Sequence, residues 1–346
     1  MIKTNLTGLL AVSLLVVQFG WAQIANTQTI TKTGTTAASF LKIGVDARST
    51  SMGNAYVAMP GDVNSIFWNP AGLAGIKGVE AAFNSSDWLA STDLTFIALA
   101  FNAPGVGVLG LSITQLSIPE SPVLTVSDPK GTGELWDASD IAINLAFSRK
   151  LSDRFSLGVN AKYVQERIWH SSAKTMAVDI GALFVTPIKN IRLGATISNY
   201  GGTMRMSGRD QYFDNDPDPD NQGNVEIVNA TYETDKFPLP LLFRVGISGE
   251  LIQTANMRLS YGLDAMHPND NVEAVNAGME YAFAETFFLR GGYANLFNED
   301  AEEGLSIGGG INYRIWGSSS ILKVDYSYTV FNRLVGVPRV SVGVKF

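Results

Sequence analysis

The chain holds only two histidines, His170 and His267, and no cysteine. Neither histidine sits at a metal-ligand spacing or beside a nucleophile motif, and no Gly-x-Ser-x-Gly elbow occurs. Thiol catalysis, disulfide frameworks and Cys-ligated metals are excluded. Gly105, Gly107 and Gly110 match the dinucleotide fingerprint by letter, but the alternation after them is that of a strand, where the fingerprint needs a helix. Asp214, Asp216, Asp218 and Asp220 place carboxylates at every second residue, which could offer several oxygens to one calcium ion. They lack the glycine and the terminal glutamate of an EF-hand loop, and an acidic, proline-stiffened loop tip is the simpler reading. The sequence therefore predicts no enzyme, no cofactor and no metal centre.

The other patterned charges are Arg192, Arg244, Glu250, Arg258, Asp264, Arg290, Arg314, Lys323 and Asp325, nearly balanced in sign. Each stands on the polar face of an alternating segment, so strands must position them. Fourteen such segments follow Lys77: 79–86, 92–101, 106–117, 136–150, 154–167, 175–187, 191–200, 241–250, 256–267, 274–284, 286–294, 304–316, 320–330 and 337–346. In 304–316, Leu305, Ile307, Ile311 and Tyr313 share one face while Ser306, Gly308, Asn312 and Arg314 share the other. That is the two-residue period of a strand between two different environments. Most segments approach the roughly 9 to 11 residues that a tilted membrane strand needs. Their connections sort by parity: 102–105, 151–153, 188–190, 251–255, 285 and 317–319 are short, whereas the alternate set contains 118–135 and 201–240. Bacterial barrels have this asymmetry, with short periplasmic turns and long outer loops. A charged face would then line a wet lumen, forming a paired network, and the apolar face would meet lipid. Tyr163, Tyr313, Tyr326 and Tyr328 read as girdle aromatics at the membrane interfaces.

Composition agrees with this fold class. Only 16% of residues are charged, against about 25% in soluble domains. The net charge of −7 without a basic cluster argues against nucleic acid. Residues 1–22 read as a signal peptide, with Lys3 before an apolar run and small residues before the cleavage point. Residues 23–36 read as a flexible mature N-terminus, and no later apolar run reaches the roughly 18 residues of a spanning helix. The last strand alternates to a terminal Phe346, the kind of end by which outer-membrane assembly machinery recognises its clients.

Between tail and strands lies the densest stretch, residues 37–75, with FLKIGVDARSTSMGNAYVAM followed by SIFWNPAGLAG. Asp46, Ala47 and Arg48 set a charge pair beside small residues, and Met52-Gly53 lets backbones approach closely. Asp62 can cap a helical turn that must stop at Asn69-Pro70. A polar Asn69 at that bend would hydrogen-bond backbone of the wall or of the stretch itself, and Asp46 and Arg48 would pair with lumen charges such as Arg258 and Asp264. The expected place of the stretch is inside the barrel, as a hatch, with residues 76–346 forming the wall.

Asp46-Ala47-Arg48, Met52-Gly53 and Asn69-Pro70-Ala71 beside Phe67-Trp68 resemble the N-terminal signature of the PorV/PorQ family, outer-membrane barrels akin to the FadL long-chain fatty-acid transporters. The resemblance implies a fourteen-stranded antiparallel outer-membrane β-barrel with an N-terminal hatch. It also implies a part in type IX secretion, with secreted cargo proteins or the translocon as partners alongside outer-membrane lipid. The alternative is FadL-like passive transport of a hydrophobic ligand.

Overall fold

The computed structural model describes residues 32–189, 191–218, 220, 227–298 and 300–346. The expected signal peptide and most of the expected flexible tail lie outside them. Fourteen strands form the wall. They are β1 Val79–Asp87, β2 Asp93–Ala103, β3 Gly107–Ser117, β4 Ala138–Lys150, β5 Phe155–Ile168, β6 Ser171–Val185 and β7 Arg192–Gly201. The second half comprises β8 Leu242–Gln253, β9 Met257–Pro268, β10 Ala274–Phe283, β11 Phe287–Leu296, β12 Glu303–Arg314, β13 Ile321–Phe331 and β14 Val337–Lys345. Each pairs antiparallel with its chain neighbours, and β1 pairs with β14, Phe83 opposite Val342, so the sheet closes on itself. Closure leaves no unpaired edge, the condition for backbone to lie in hydrocarbon.

The alternation read from sequence is the alternation of the wall. Along β2, Leu94, Phe96, Ala98 and Ala100 are buried while Ile97, Leu99 and Phe101 are exposed. Phe83, Leu111, Leu145, Ile180, Leu289 and Ile307 continue the exposed apolar surface around the barrel. So large an apolar surface belongs against lipid rather than water. No helix among the described residues is long and apolar enough to cross a membrane.

Two connections differ from expectation. The segment 168–174 is no loop: the chain turns at Trp169 and His170, with Trp169 at φ 51°, and Ser171–Lys174 pair with Gln165–Ile168. Their buried positions are filled by the small side chains of Ser171 and Ala173, which hides them from a search for apolar alternation. The connection 202–241 is not structureless either. It holds a hairpin of Tyr212–Asn215 with Val228–Thr231, and its Ser207–Gly208 adds to the edge of β6.

Candidate functional site: the lumen and the N-terminal segment

The segment preceding β1 folds into short pieces: a 3₁₀ turn at Ser39–Lys42, helix α1 at Ala47–Ser51, helix α2 at Ser65–Trp68 and a second 3₁₀ turn at Pro70–Gly75. Helices of one turn have little stability of their own, so their caps and partners define them. Asp46 caps α1 by accepting from the Ser49 N–H at 2.9 Å, and the same carboxylate accepts from Trp68 Nε1 at 2.7 Å. The two halves of the motif, 22 residues apart, are thereby tied together. Burial pushes the Asp46 carboxyl up, the charge of Asp62 adds to the effect, and the hydrogen bonds from Trp68 and Ser49 oppose it. Helix α2 ends where Pro70 holds Asn69 extended, at φ −157° and ψ 104°. Asn69 Nδ2 then donates to the carbonyls of Val57 at 2.8 Å and Ala182 on β6 at 3.1 Å, while its Oδ1 accepts from the Ala71 N–H. Asp62 does not cap α2 directly; its Oδ1 accepts from the Asn64 N–H instead.

This segment lies within the ring of strands. Pro70–Gly75 packs on β3 to β6, and α1 packs on the opposite wall, β11 to β14. A Cβ on Gly158 of β5 would meet the Pro70 carbonyl carbon at 2.3 Å, and one on Gly292 of β11 would meet that of Met52 at 2.1 Å. Met52 and Ala71 are fully buried, and Gly53 is wedged against the backbone of Tyr293. The Ala47 N–H reaches Ser341 Oγ on β14 at 2.8 Å.

Arg48 anchors the charged side. Its Nε and Nη2 grip Glu280 of β10 at 2.9 and 3.1 Å as a fork, and its Nη1 donates to Tyr56 Oη at 2.8 Å. Glu280 is fully buried and is shared with Arg290 at 2.8 Å and Arg258 at 3.1 Å. Arg290 continues to Asp325 at 2.6 Å. A buried charge persists only when paired and hydrogen-bonded, and here three guanidinium groups converge on one carboxylate.

The structure corrects several expected pairings. Arg48 takes Glu280 and Asp62 rather than Asp264, and Asp46 is satisfied within the segment rather than by Arg258. Asp264 accepts the backbone N–H groups of Tyr56 and Val57 at 2.7 and 2.8 Å. Arg192 pairs with Glu250 at 2.7 Å, and Lys323 reaches Glu80 at 3.6 Å. Arg314 stands exposed at the end of β12, away from the network. Among the described residues Arg244 forms no ion pair with a carboxylate, and it lies over the Trp68 ring at 5.2 Å. Glu280 and the buried pair Lys162–Asp179, at 3.0 Å, escaped sequence reasoning. Glu280 stands in step with Asn276 and Gly278 on the polar face of its strand, a signal that could have found it.

Elsewhere, Asp214, Asp216 and Asp218 lie exposed in or beside the loop hairpin, and no group of three or more potential metal ligands gathers among the described residues. His170 bonds Asp210 at 2.8 Å beside Arg209. Slight desolvation of Asp210 is outweighed by the hydrogen bonds from His170 and the charges of His170 and Arg209, which hold its carboxyl below the usual range. His267 pairs with Glu273 at 2.9 Å. Phe346 is exposed and donates its N–H to the Val79 carbonyl at 2.9 Å.

A closed antiparallel ring of fourteen strands, apolar outside and carrying a paired charge network inside, defines an outer-membrane β-barrel. Solved structures share the fold. The Pseudomonas putida toluene transporter TodX aligns with a TM-score of 0.53 at 11% identity, over 87% of this chain and 97% of its own. The Ralstonia pickettii toluene transporter TbuX aligns with a TM-score of 0.51 at 14% identity, over 87% and 97%. A Pseudomonas aeruginosa FadL homologue gives 0.50 at 11%, over 87% and 98%. At such identity the likeness is one of fold alone. A search of curated proteins finds no match. The profile of type IX secretion system protein PorV matches residues 25–207, more than half of the chain, and the chain belongs to that family.

Proposed function

We propose that this protein serves type IX secretion at the outer membrane by engaging secreted cargo or the translocon through its long loops, with residues 37–75 as a hatch that fills the lumen. The observation that carries this reading is the pairing of segment and wall: Arg48 on Glu280, Asp264 on the Tyr56 and Val57 amides, Asn69 on Ala182. A lumen so occupied leaves the loops as the surface for large partners. Segments 118–137 and 202–241 supply it, the latter with Tyr212–Asn215 paired to Val228–Thr231. The role is binding rather than catalysis, in keeping with the absence of nucleophile motifs.

A second reading, passive transport of a hydrophobic ligand, is favoured by one feature of the wall. An outward depression of about 310 Å³ on β8 to β10 is lined by Val245, Ile247, Leu263, Ala265 and Val275, and the fold neighbours include toluene transporters.

The two readings separate on one deletion. Removing 212–231 should abolish co-purification of secreted proteins or translocon subunits from native outer membranes while the barrel stays heat-modifiable on a gel. Retained partners together with lost uptake of a hydrophobic probe would reverse the order of the readings.

A further inference from the structure

The short-turn end of the barrel is charged unevenly. Over much of it the cations are matched: Arg192 meets Glu250, Arg258 meets Glu285, and Lys323 and Lys345 share Glu80. Along the turns β4–β5 and β6–β7 they are not. Arg149, Lys150, Arg154 and Lys189 are exposed there and, among the described residues, form no ion pair. The Arg154 carbonyl accepts the Val185 N–H at 2.8 Å, so the two turns stand side by side. Asp153 is the one acid in their sequence. The local charge is therefore strongly positive, and the partner that suits it is an anion.

The surface around Arg149 limits which anion fits. Along β4 the inward positions Ala142, Asn144, Ala146 and Ser148 are buried, and Ile143, Leu145, Phe147 and Arg149 form the outward row. In register beside that row on β3 stand Ile113, Leu111 and Leu109. An apolar track two strands wide thus runs down the lipid-facing wall and ends at a guanidinium. Val106, Leu151 and Ile188 are exposed in the adjoining short turns, as befits the boundary between acyl chains and headgroups. Arg149 and Lys150 also border a depression of about 260 Å³ with Ser148, Asn102, Val106 and Ala74, and no carboxylate among the described residues lines it. A free anion or an acidic peptide would use the cations and leave the track unused, whereas a lipid uses both. We propose that this surface binds an anionic glycerophospholipid, its phosphate on Arg149 and Lys150 and an acyl chain along Phe147, Leu109, Leu145 and Leu111. Arg154 and Lys189 add the field that favours an anionic over a zwitterionic headgroup. Short turns of outer-membrane barrels face the periplasm, which assigns the lipid to the inner leaflet. This site is independent of the secretion reading.

The test is native mass spectrometry of the full chain in a neutral detergent, with phosphatidylglycerol and phosphatidylcholine of identical acyl chains offered at equal concentration. Phosphatidylglycerol should bind about tenfold more tightly than phosphatidylcholine. Arg149→Gln combined with Lys150→Gln should reduce that preference to about twofold or less. Arg314→Gln, which removes an exposed cation elsewhere at the same end, should leave it unchanged. Hexaglutamate and inorganic phosphate, each added at the lipid concentration, should not displace phosphatidylglycerol. Equal binding of the two lipids, an unchanged preference in a heat-modifiable double variant, an equal loss in Arg314→Gln, or displacement by either soluble anion overturns the proposal. Displacement by hexaglutamate would assign the surface to an acidic protein instead. If the double variant does not fold, Arg154→Gln with Lys189→Gln decides by the same loss of preference.

Discussion

The inner surface of the barrel has two unlike walls. Along β1 to β4 it carries an apolar patch, in which Ala82, Phe96, Ala98, Ala100, Val108 and Ala146 form one cluster with Val45, Val63, Ile66, Leu73 and Ile76 of the N-terminal segment, beside mostly uncharged polar groups such as Asn84, Ser112 and Asn144. Along β9 to β13 it is ionic, with Arg258, Glu280, Arg290 and Asp325 gathered about Arg48. Apolar burial is non-directional and tolerates small displacements, whereas a fork of two hydrogen bonds fixes distance and angle. The apolar wall therefore holds the segment, and the ionic wall sets where it is held.

Three substitutions test that division. Glu280→Gln should have the largest effect, because it removes the fully buried carboxylate shared by Arg48, Arg258 and Arg290, a loss of about 3 to 5 kcal/mol. It should appear as protease access to residues 39–75 and a lowered temperature of heat modification. Leu73→Ala, at a fully buried site on the apolar wall, should cost about 2 to 4 kcal/mol through transfer and cavity effects. Its signature should be lower thermal stability with protease protection largely kept. If Leu73→Ala exposes the segment more than Glu280→Gln does, the apolar wall also sets position and the division fails. Arg314→Ala should change heat modification by less than about 0.5 kcal/mol, as expected for an exposed residue outside any network. A larger loss would extend the ionic wall to the end of β12.

The barrel was legible because lipid outside and polar filling inside impose a two-residue period on every strand. Strand number, order and the parity of the turns could all be read from segments such as 256–267 and 304–316. The stretch 171–174 was not legible, since its buried positions hold the small side chains of Ser171 and Ala173 and no apolar period results. The interior was legible as a set of charges but not as pairs. Arg48 chooses Glu280 over Asp264 because of where α1 rests against β11 to β14, and no local spacing encodes that rest position. Asn69 was the easier case: Pro70 dictates its backbone, and an amide at an enforced bend within a filled barrel has backbone groups for partners. Arg314 misled because alternation says which face a residue is on, not whether it lies deep or at the rim.

The close approach of Pro70 to Gly158 and of Met52 to Gly292 has a consequence in time. Clearances of less than a methyl group mean that the segment and the strands facing it can reach their final packing only together. Its partners are also far along the chain, Glu280 at a separation of 232 residues and Ser341 at 294. The segment therefore meets these partners only once β10 and β14 have been made. Contacts so distant in sequence are the slow ones in folding. Packing of the segment thus belongs with the pairing of the first and last strands to the long-range part of folding.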